Sequence, residues 1–226
     1  MNIEELKSKG VPDFVIDNFR RQKITKLNPA QLKAIKNGLL DGNNLLVCTP
    51  TGSGKTAIAT FAITKNLNEN KGSKAIYLVP LKALANEKYK DYKDLFKETG
   101  FEVIVNTSDL DSSAEWLAKY NLLILTVEKM DSMLRHHVSW INEVSTIIID
   151  EIHLLNDPKR GPTLEILITI LRQLLKKSQI IGLSATIGNA EELAEWLNAE
   201  LIVDNWRPVK LHKGVYFDGK VEFDGN

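Results

Sequence analysis

Apolar residues along this chain fall into short unbroken runs, and longer segments with helical spacing lie between them. Unbroken apolar runs are typical of strands that are buried on both faces of a parallel sheet. The predicted strands cover residues 45–48, 75–79, 102–105, 122–125, 144–149, 180–183 and 201–203. The predicted helices between them cover residues 57–63, 81–96, 127–134, 161–176 and 190–197.

The alternation of strands and helices predicts an α/β fold, in which helices cover both faces of a parallel sheet. In such sheets ligands bind at the carboxyl ends of the strands, so polar residues that follow strands are candidates for a site. Residues 1–42, upstream of the first strand, predict a short helical segment. One or two helices break near residues 10–12, and another is capped by Asn28 with Pro29 in its first turn.

Charge and cysteine content limit the classes of function. The 226 residues carry 29 basic and 29 acidic side chains, so a nucleic-acid site would have to be a local patch. Cys48 is the only cysteine, which excludes an internal disulfide and fits an intracellular protein. No apolar run is long enough to span a bilayer, and the start lacks a signal-peptide pattern.

A glycine-rich stretch, TPTGSGKT at residues 49–56, follows the first predicted strand and precedes a helix. Strand, loop and helix in this order predict a phosphate-binding loop, whose backbone amides and helix N-terminus face the anion. Lys55 would reach the outer phosphates, and the Thr56 hydroxyl would hold magnesium. A solvated turn rich in Gly, Ser and Thr is the alternative. The predicted nucleotide-binding residues of the loop are Thr51, Gly52, Ser53, Gly54, Lys55 and Thr56.

Two acids, Asp150 and Glu151, follow the predicted strand at residues 144–149. An acid at the end of a buried strand, together with a phosphate loop, is typical of the magnesium-binding half of a nucleotide site. Asp150 would hold the metal, and Glu151 would accept a proton from the attacking water or orient it. The alternative is a strand end at which charge stops the strand.

TPTGSGKT, DEIH at residues 150–153 and SAT at residues 184–186, in that order and spacing, resemble the first motor domain of a superfamily 2 helicase. This resemblance implies a RecA-like fold and the cofactors ATP and magnesium. It also implies that His153, Ser184 and Thr186 couple the nucleotide to strand separation, and that Gln31 reads adenine. One departure is Thr49, which stands where the general loop pattern has glycine.

Two longer strings, DEIHLLNDPKRGPTLE and AEWLNAELIVDNWRPV, are similar to the archaeal Holliday junction migration family of Ski-type DNA helicases. The resemblance implies 3′-to-5′ unwinding of single-stranded or forked DNA in repair or at stalled forks. It also implies a cytoplasmic, nucleoid-associated protein with no membrane contact and no oligomer. The alternatives are a Ski-type RNA helicase, a non-catalytic adaptor with a motor fold and a different P-loop machine such as a transporter ATPase.

Motifs that resemble the helicase contacts to the nucleic-acid backbone follow two further strands. The predicted contact residues are Lys82, Thr107, Ser108, Thr126 and Lys129, although the lysines could be ordinary surface residues. The resemblance divides the chain into N-terminal helices with a glutamine-type motif (1–42), a RecA-like motor domain (43–205) and an exit segment toward a second motor domain (206–226). We expect the chain alone to be nearly inactive, because that second domain supplies the catalytic arginines.

Overall fold

A computed structural model describes residues 1–107, 115–136, 138–209 and 214–223. Seven strands form one parallel sheet in the order β3-β4-β2-β5-β6-β1-β7. These strands are β1 Leu45–Cys48, β2 Lys74–Val79, β3 Val103–Asn106, β4 Leu122–Thr126, β5 Val144–Ile149, β6 Gln179–Ser184 and β7 Glu200–Val203. A separate antiparallel hairpin pairs β8 Gly214–Phe217 with β9 Lys220–Phe223.

Helices pack on both faces of the sheet. They are α1 Asp13–Arg21, α2 Pro29–Lys36, α3 Lys55–Glu69, α4 Lys82–Leu95, α5 Val127–Arg135, α6 Gly161–Leu174 and α7 Ala190–Leu197. Because successive strand residues point to opposite faces, Leu45 and Val47 join one core while Leu46 and Cys48 join the other. The first core contains α1 to α4, and the second contains α5 to α7. The predicted α/β fold, with helices on both faces, is confirmed.

The short N-terminal helices share the first core with α3 and the sheet. A 3-10 helix at Ile3–Lys9 and α1 bury Leu6, Val15 and Ile16 among residues of α3 and the sheet. The proposed boundary between residues 1–42 and 43–205 therefore follows the sequence motifs, because one hydrophobic core extends across it. Within the described residues, no helix has the length and apolar character needed to cross a membrane.

The sheet topology brings the predicted motifs to one edge. Strands β1, β5 and β6 are neighbours, so their carboxyl ends place Thr49, Asp150 and Ser184 side by side. The Thr49 amide donates to the Ser184 carbonyl at 3.2 Å, and the Asp150 amide donates to the Leu78 carbonyl at 2.9 Å. The loop and the acidic pair are thus fixed to adjacent strands by backbone hydrogen bonds.

Candidate nucleotide-binding site

The glycine-rich loop turns through two residues with left-handed backbone angles. Gly52 and Gly54 have φ values of 80° and 82°, which side chains with a Cβ rarely adopt. A Cβ on Gly54 would also lie 2.7 Å from Gln31 Nε2 and 2.8 Å from Asn28 Nδ2. The hydroxyls of Thr49 and Ser53 lie 2.7 Å apart and close the loop internally. Both glycines are therefore required by geometry, Gly54 for two separate reasons.

Helix α2 holds the loop through its N-terminal residues. Asn28 Oδ1 accepts from the Gln31 amide at 2.9 Å, and Gln31 Oε1 accepts from the Asn28 amide at 3.0 Å. Asn28 Nδ2 also donates to the Ser53 carbonyl at 2.7 Å, and Gln31 Nε2 donates to the Gly54 carbonyl at 3.3 Å. The buried Gln31 side chain therefore caps a helix and supports the loop at once. A cleft of about 510 Å³, lined in part by Phe19, Gln31 and Thr56, opens beside it.

Lys55 lies across the loop. Its ammonium donates to the Thr49 carbonyl at 2.8 Å and to the Pro50 carbonyl at 3.4 Å. Burial lowers the pKa of Lys55, and the nearby carboxylates of Glu151 and Asp150 partly offset that shift. The loop after β1 and the acidic pair after β5 lie on either side of the end of β6, the arrangement that a nucleotide site requires.

Asp150 is held by donors on either side of its carboxylate. The Tyr77 hydroxyl donates to Oδ2 at 3.1 Å, and the Glu151 amide donates to Oδ1 at 3.0 Å. Burial raises the pKa of Asp150, whereas the Lys88 ammonium and these hydrogen bonds lower it. Asp150 and the hydroxyl of Thr56, in the first turn of α3, are the oxygen ligands that magnesium prefers. The residues present therefore fit the metal that the resemblance implies.

Glu151 has an unusual backbone conformation for a residue with a side chain. Its φ is 52°, in the left-handed region, which costs on the order of 1 kcal/mol for a residue other than glycine. Such strain clusters at functional sites. His153 Nδ1 accepts from the Ala185 amide at 3.4 Å, and the same atom lies 3.3 Å from Glu151 Oε2, so it bonds either the amide or, when it carries a proton, the carboxylate. His153 therefore connects Glu151 to the segment that contains Ser184 and Thr186.

The structure separates the predicted nucleic-acid contacts into exposed and buried residues. Lys82 is exposed at the start of α4, and Thr107 is half-buried after β3. Thr126 is buried and caps α5 by accepting from the Lys129 amide at 3.3 Å. The Lys129 side chain is fully buried, and among the described residues its ammonium has no hydrogen-bond partner. Ser108 lies outside the described residues.

These positions show which of the predicted contact residues are accessible to a phosphate. Lys82 and Thr107 are placed where a phosphate could reach them, at the same edge of the sheet as the nucleotide motifs. The Lys129 ammonium is enclosed in this conformation, because residues of α5 pack into the second core. The phosphate-contact roles of all these residues stay predictions.

Sequence patterns alone did not single out Lys88 and Tyr77 as members of the site. Lys88 lies on α4 and donates to Thr56 Oγ1 at 3.2 Å, and Tyr77 lies on β2. Each is distant in sequence from the motif residue that it contacts, and each looks like an interior residue of its own element. Lys88 is nevertheless buried, and a buried lysine is rare unless it has a specific partner.

Comparison with known proteins assigns the chain to a family. The model described as DEAD/DEAH box helicase matches residues 28–193, which include Gln31, the loop and both later motifs. The protein named ATP-dependent DNA helicase Hel308 from Pyrococcus abyssi is 52% identical over 221 residues, covering 98% of this chain and 30% of the relative. The protein of the same name from Methanocaldococcus jannaschii is 50% identical over 216 residues, covering 93% and 18%.

Solved structures agree on the fold. A DUF1998 helicase, MrfA, bound to DNA superposes with a TM-score of 0.73 at 22% identity, covering 87% of this chain and 30% of that one. Its complex with DNA and AMPPNP gives a TM-score of 0.74 at 21% identity. The chain spans 30% or less of the length of the two Hel308 relatives. The predicted kinship with archaeal DNA helicases is confirmed, and the chain belongs to the DEAD/DEAH box helicase family.

Proposed function

We propose that the chain is the ATP-binding motor domain of a 3′-to-5′ DNA helicase that acts in DNA repair or at stalled replication forks. The observation that carries the proposal is the placement of the loop with Lys55 after β1 and of Asp150 and Glu151 after β5, on either side of β6 at one edge of the sheet. Relatives about half identical to this chain are named ATP-dependent DNA helicases. Strand polarity and the repair role rest on the resemblance.

The loop residues have the geometry to bind and orient ATP. The amides of residues 51–56 and the N-terminus of α3 enclose the phosphates, and Lys55 neutralises their charge. Gln31 faces the cleft beside the loop, where adenine binds. Thr56 and Asp150 would hold magnesium, whose charge would stabilise the negative charge that develops on the transferred phosphate.

Glu151 prepares the water that attacks the terminal phosphate. Its carboxylate orients this water or takes its proton, and Oε2 lies 3.3 Å from His153 Nδ1. Because this Nδ1 bonds either the Glu151 carboxylate or the Ala185 amide, a change at Glu151 alters the contact of His153 with the segment that contains Ser184 and Thr186. This chain of contacts is the proposed coupling between nucleotide and DNA.

In this proposal the full-length protein is a monomer, and its polypeptide contains further domains. Its relatives are several times longer than this chain, and a second motor domain there would supply the arginines that complete the ATP site. Residues 206–226 are the proposed exit segment toward that domain. A DNA substrate would place the protein in the cytoplasm, with the nucleoid.

The test compares nucleic acids as activators of the full-length protein. Single-stranded DNA should stimulate ATP hydrolysis more than RNA of the same sequence. In a binding competition, unlabelled DNA should displace bound nucleic acid better than unlabelled RNA. Glu151→Gln should retain ATP binding and lose on the order of a hundredfold or more in rate, because the amide cannot take a proton. The control Glu191→Gln, at an exposed position of α7, should keep the wild-type rate.

Three results would contradict the proposal or part of it. Equal or stronger stimulation by RNA would indicate a Ski-type RNA helicase. Absence of hydrolysis with either nucleic acid, together with undiminished binding of a partner protein, would indicate a non-catalytic adaptor. An unchanged rate of ATP hydrolysis in Glu151→Gln would mean that another residue activates the attacking water.

A further inference from the structure

Helix α4 contributes a buried cation to the proposed metal site. The Lys88 ammonium donates to Thr56 Oγ1 at 3.2 Å, and only 8% of the residue is exposed. Its charge also lowers the pKa of Asp150, against the larger effect of burial. The ammonium therefore contacts Thr56, one of the two residues that the proposed function assigns to magnesium, and its charge acts on the other, Asp150.

Other contacts of Lys88 are too weak to explain its burial. Its ion pair with Glu87 is 3.4 Å long, and the Glu87 side chain is 60% exposed, so solvent screens the attraction. The Asp91 carboxylate, whose pKa burial raises, also interacts with the Lys88 charge. An ammonium that leaves water needs a strong anionic partner. The carboxylate of Asp150, whose pKa the Lys88 charge lowers, is a further anion that favours the ammonium.

Several hydroxyl groups lie in the same neighbourhood. The Thr60 hydroxyl donates to the Thr56 carbonyl at 2.9 Å and lies 3.1 Å from the Tyr92 hydroxyl. The Tyr77 hydroxyl binds Asp150, and the rings of Tyr77 and Tyr92 are 5.9 Å apart. These contacts restrain the backbone of Thr56 and the carboxylate of Asp150, whichever cation is present.

We propose that Lys88 is an internal cation that competes with magnesium for Thr56 and Asp150. The inference rests on the proposed function, which makes these two residues the metal ligands. A lone pair of Thr56 Oγ1 that accepts from the ammonium is not available to a metal at the same place, and two cations there repel each other. Magnesium binding then requires the Lys88 side chain to withdraw. When magnesium leaves, the ammonium returns to Thr56 Oγ1.

The competition predicts how magnesium binds in the absence of nucleotide. Lys88→Met keeps the length of the side chain and removes its charge, so magnesium should stabilise this variant at a concentration about tenfold lower than in the wild type. Lys88→Arg retains the charge and should resemble the wild type. Lys90→Met is the matched control, since it removes an exposed charge from the same helix. The measurement is the thermal midpoint of this chain over a magnesium titration without nucleotide.

A second measurement follows ADP binding by calorimetry. In EDTA, Lys88→Met should bind ADP more weakly than the wild type, because the internal cation is gone. With magnesium, the two should bind ADP equally, or the variant more tightly. If Lys88→Met does not fold, Lys88→Gln keeps a donor for Thr56 Oγ1 without the charge and serves in both measurements.

The outcomes separate this inference from the function on which it rests. Equal magnesium dependence in Lys88→Met and Lys90→Met, with intact ADP binding, would overturn the competition alone. Loss of ADP binding in Lys88→Met with magnesium present would also overturn it, and would make Lys88 a phosphate ligand. Failure of the wild type to bind ADP under any condition would contradict the proposed nucleotide site itself.

Discussion

At the scale of single residues, the site divides into groups that sequence could predict and groups that it could not. Lys55, Thr56, Asp150 and Glu151 follow strands within recognisable motifs, so their chemistry is visible along the chain. Lys88 reaches Thr56 only because α4 packs beside α3 in the folded protein. Such contacts between elements leave no local pattern, which is why the sequence did not indicate them.

Lys55→Ala should weaken binding of ADP or ATP with magnesium by roughly ten- to a hundredfold, the range for a lost charged hydrogen bond. The variant removes the charge that faces the phosphates and the bonds from the ammonium to the Thr49 and Pro50 carbonyls. Calorimetry measures the affinity. The control Lys36→Ala removes an exposed charge at the end of α2 and should bind as the wild type does. Equal affinity in Lys55→Ala would rule out the loop assignment.

At the scale of elements, burial determines what a sequence reveals. Strand β1 and helix α7 have the predicted bounds, and strands buried on both faces begin and end within one or two residues of their apolar runs. The 3-10 helices at Ser139–Glu143 and Ile152–Asn156 were not predicted, because short helices of this kind show too few turns for a periodic pattern. The hairpin of β8 and β9 was also not predicted, and its exposed residues give no two-sided apolar signal.

The N-terminus of α2 connects helix stability to loop geometry through Asn28. Asn28→Ala removes the cap and the bond to Ser53, so the free energy of unfolding should fall by about 1 kcal/mol, and nucleotide binding should weaken. Asn28→Asp keeps the capping oxygen and loses only the donor to the loop. It should retain most of the stability and still bind ADP more weakly.

Urea unfolding and calorimetry on the Asn28 variants separate the two effects. Wild-type affinity for ADP in Asn28→Asp would show that the bond to the Ser53 carbonyl does not position the loop. A stability loss in Asn28→Asp as large as that in Asn28→Ala would instead assign most of the stabilisation to the bond between Asn28 Nδ2 and the Ser53 carbonyl.

At the scale of the whole molecule, one edge of the sheet carries all the described candidate chemistry. The order of the strands could not be predicted from the sequence, since it depends on which apolar runs pair across long separations. That order places the nucleotide motifs after β1, β5 and β6, and the predicted nucleic-acid contacts after β2, β3 and β4. The hairpin exposes Tyr216 and Phe217 by 71% and 81%, apolar surface of the kind that other modules cover.

Binding of single-stranded DNA by this chain alone should be weak and without sequence preference. The formal net charge is zero, and the burial of Lys129 leaves Lys82 as the exposed lysine among the predicted contacts. Each neutralised phosphate on a single strand contributes about −0.7 to the slope of log affinity against log salt. We therefore expect a slope near −0.7, with other modules of the full-length protein providing most of the affinity.

Lys82→Ala should bring that slope close to zero and weaken all sequences alike, because a phosphate contact carries no base information. Lys177→Ala is the matched control, since this exposed lysine precedes β6 at the opposite edge of the sheet. Fluorescence anisotropy of a labelled oligonucleotide over a salt series gives both slopes. A steep slope that Lys82→Ala leaves unchanged would place the contacts elsewhere. A wild-type slope about twice as steep as expected would indicate a second phosphate contact, as would follow if α5 opens and exposes Lys129 when DNA binds. Tight, sequence-dependent binding by the wild type would require a base-reading surface, whereas the contacts predicted at this edge are to phosphates.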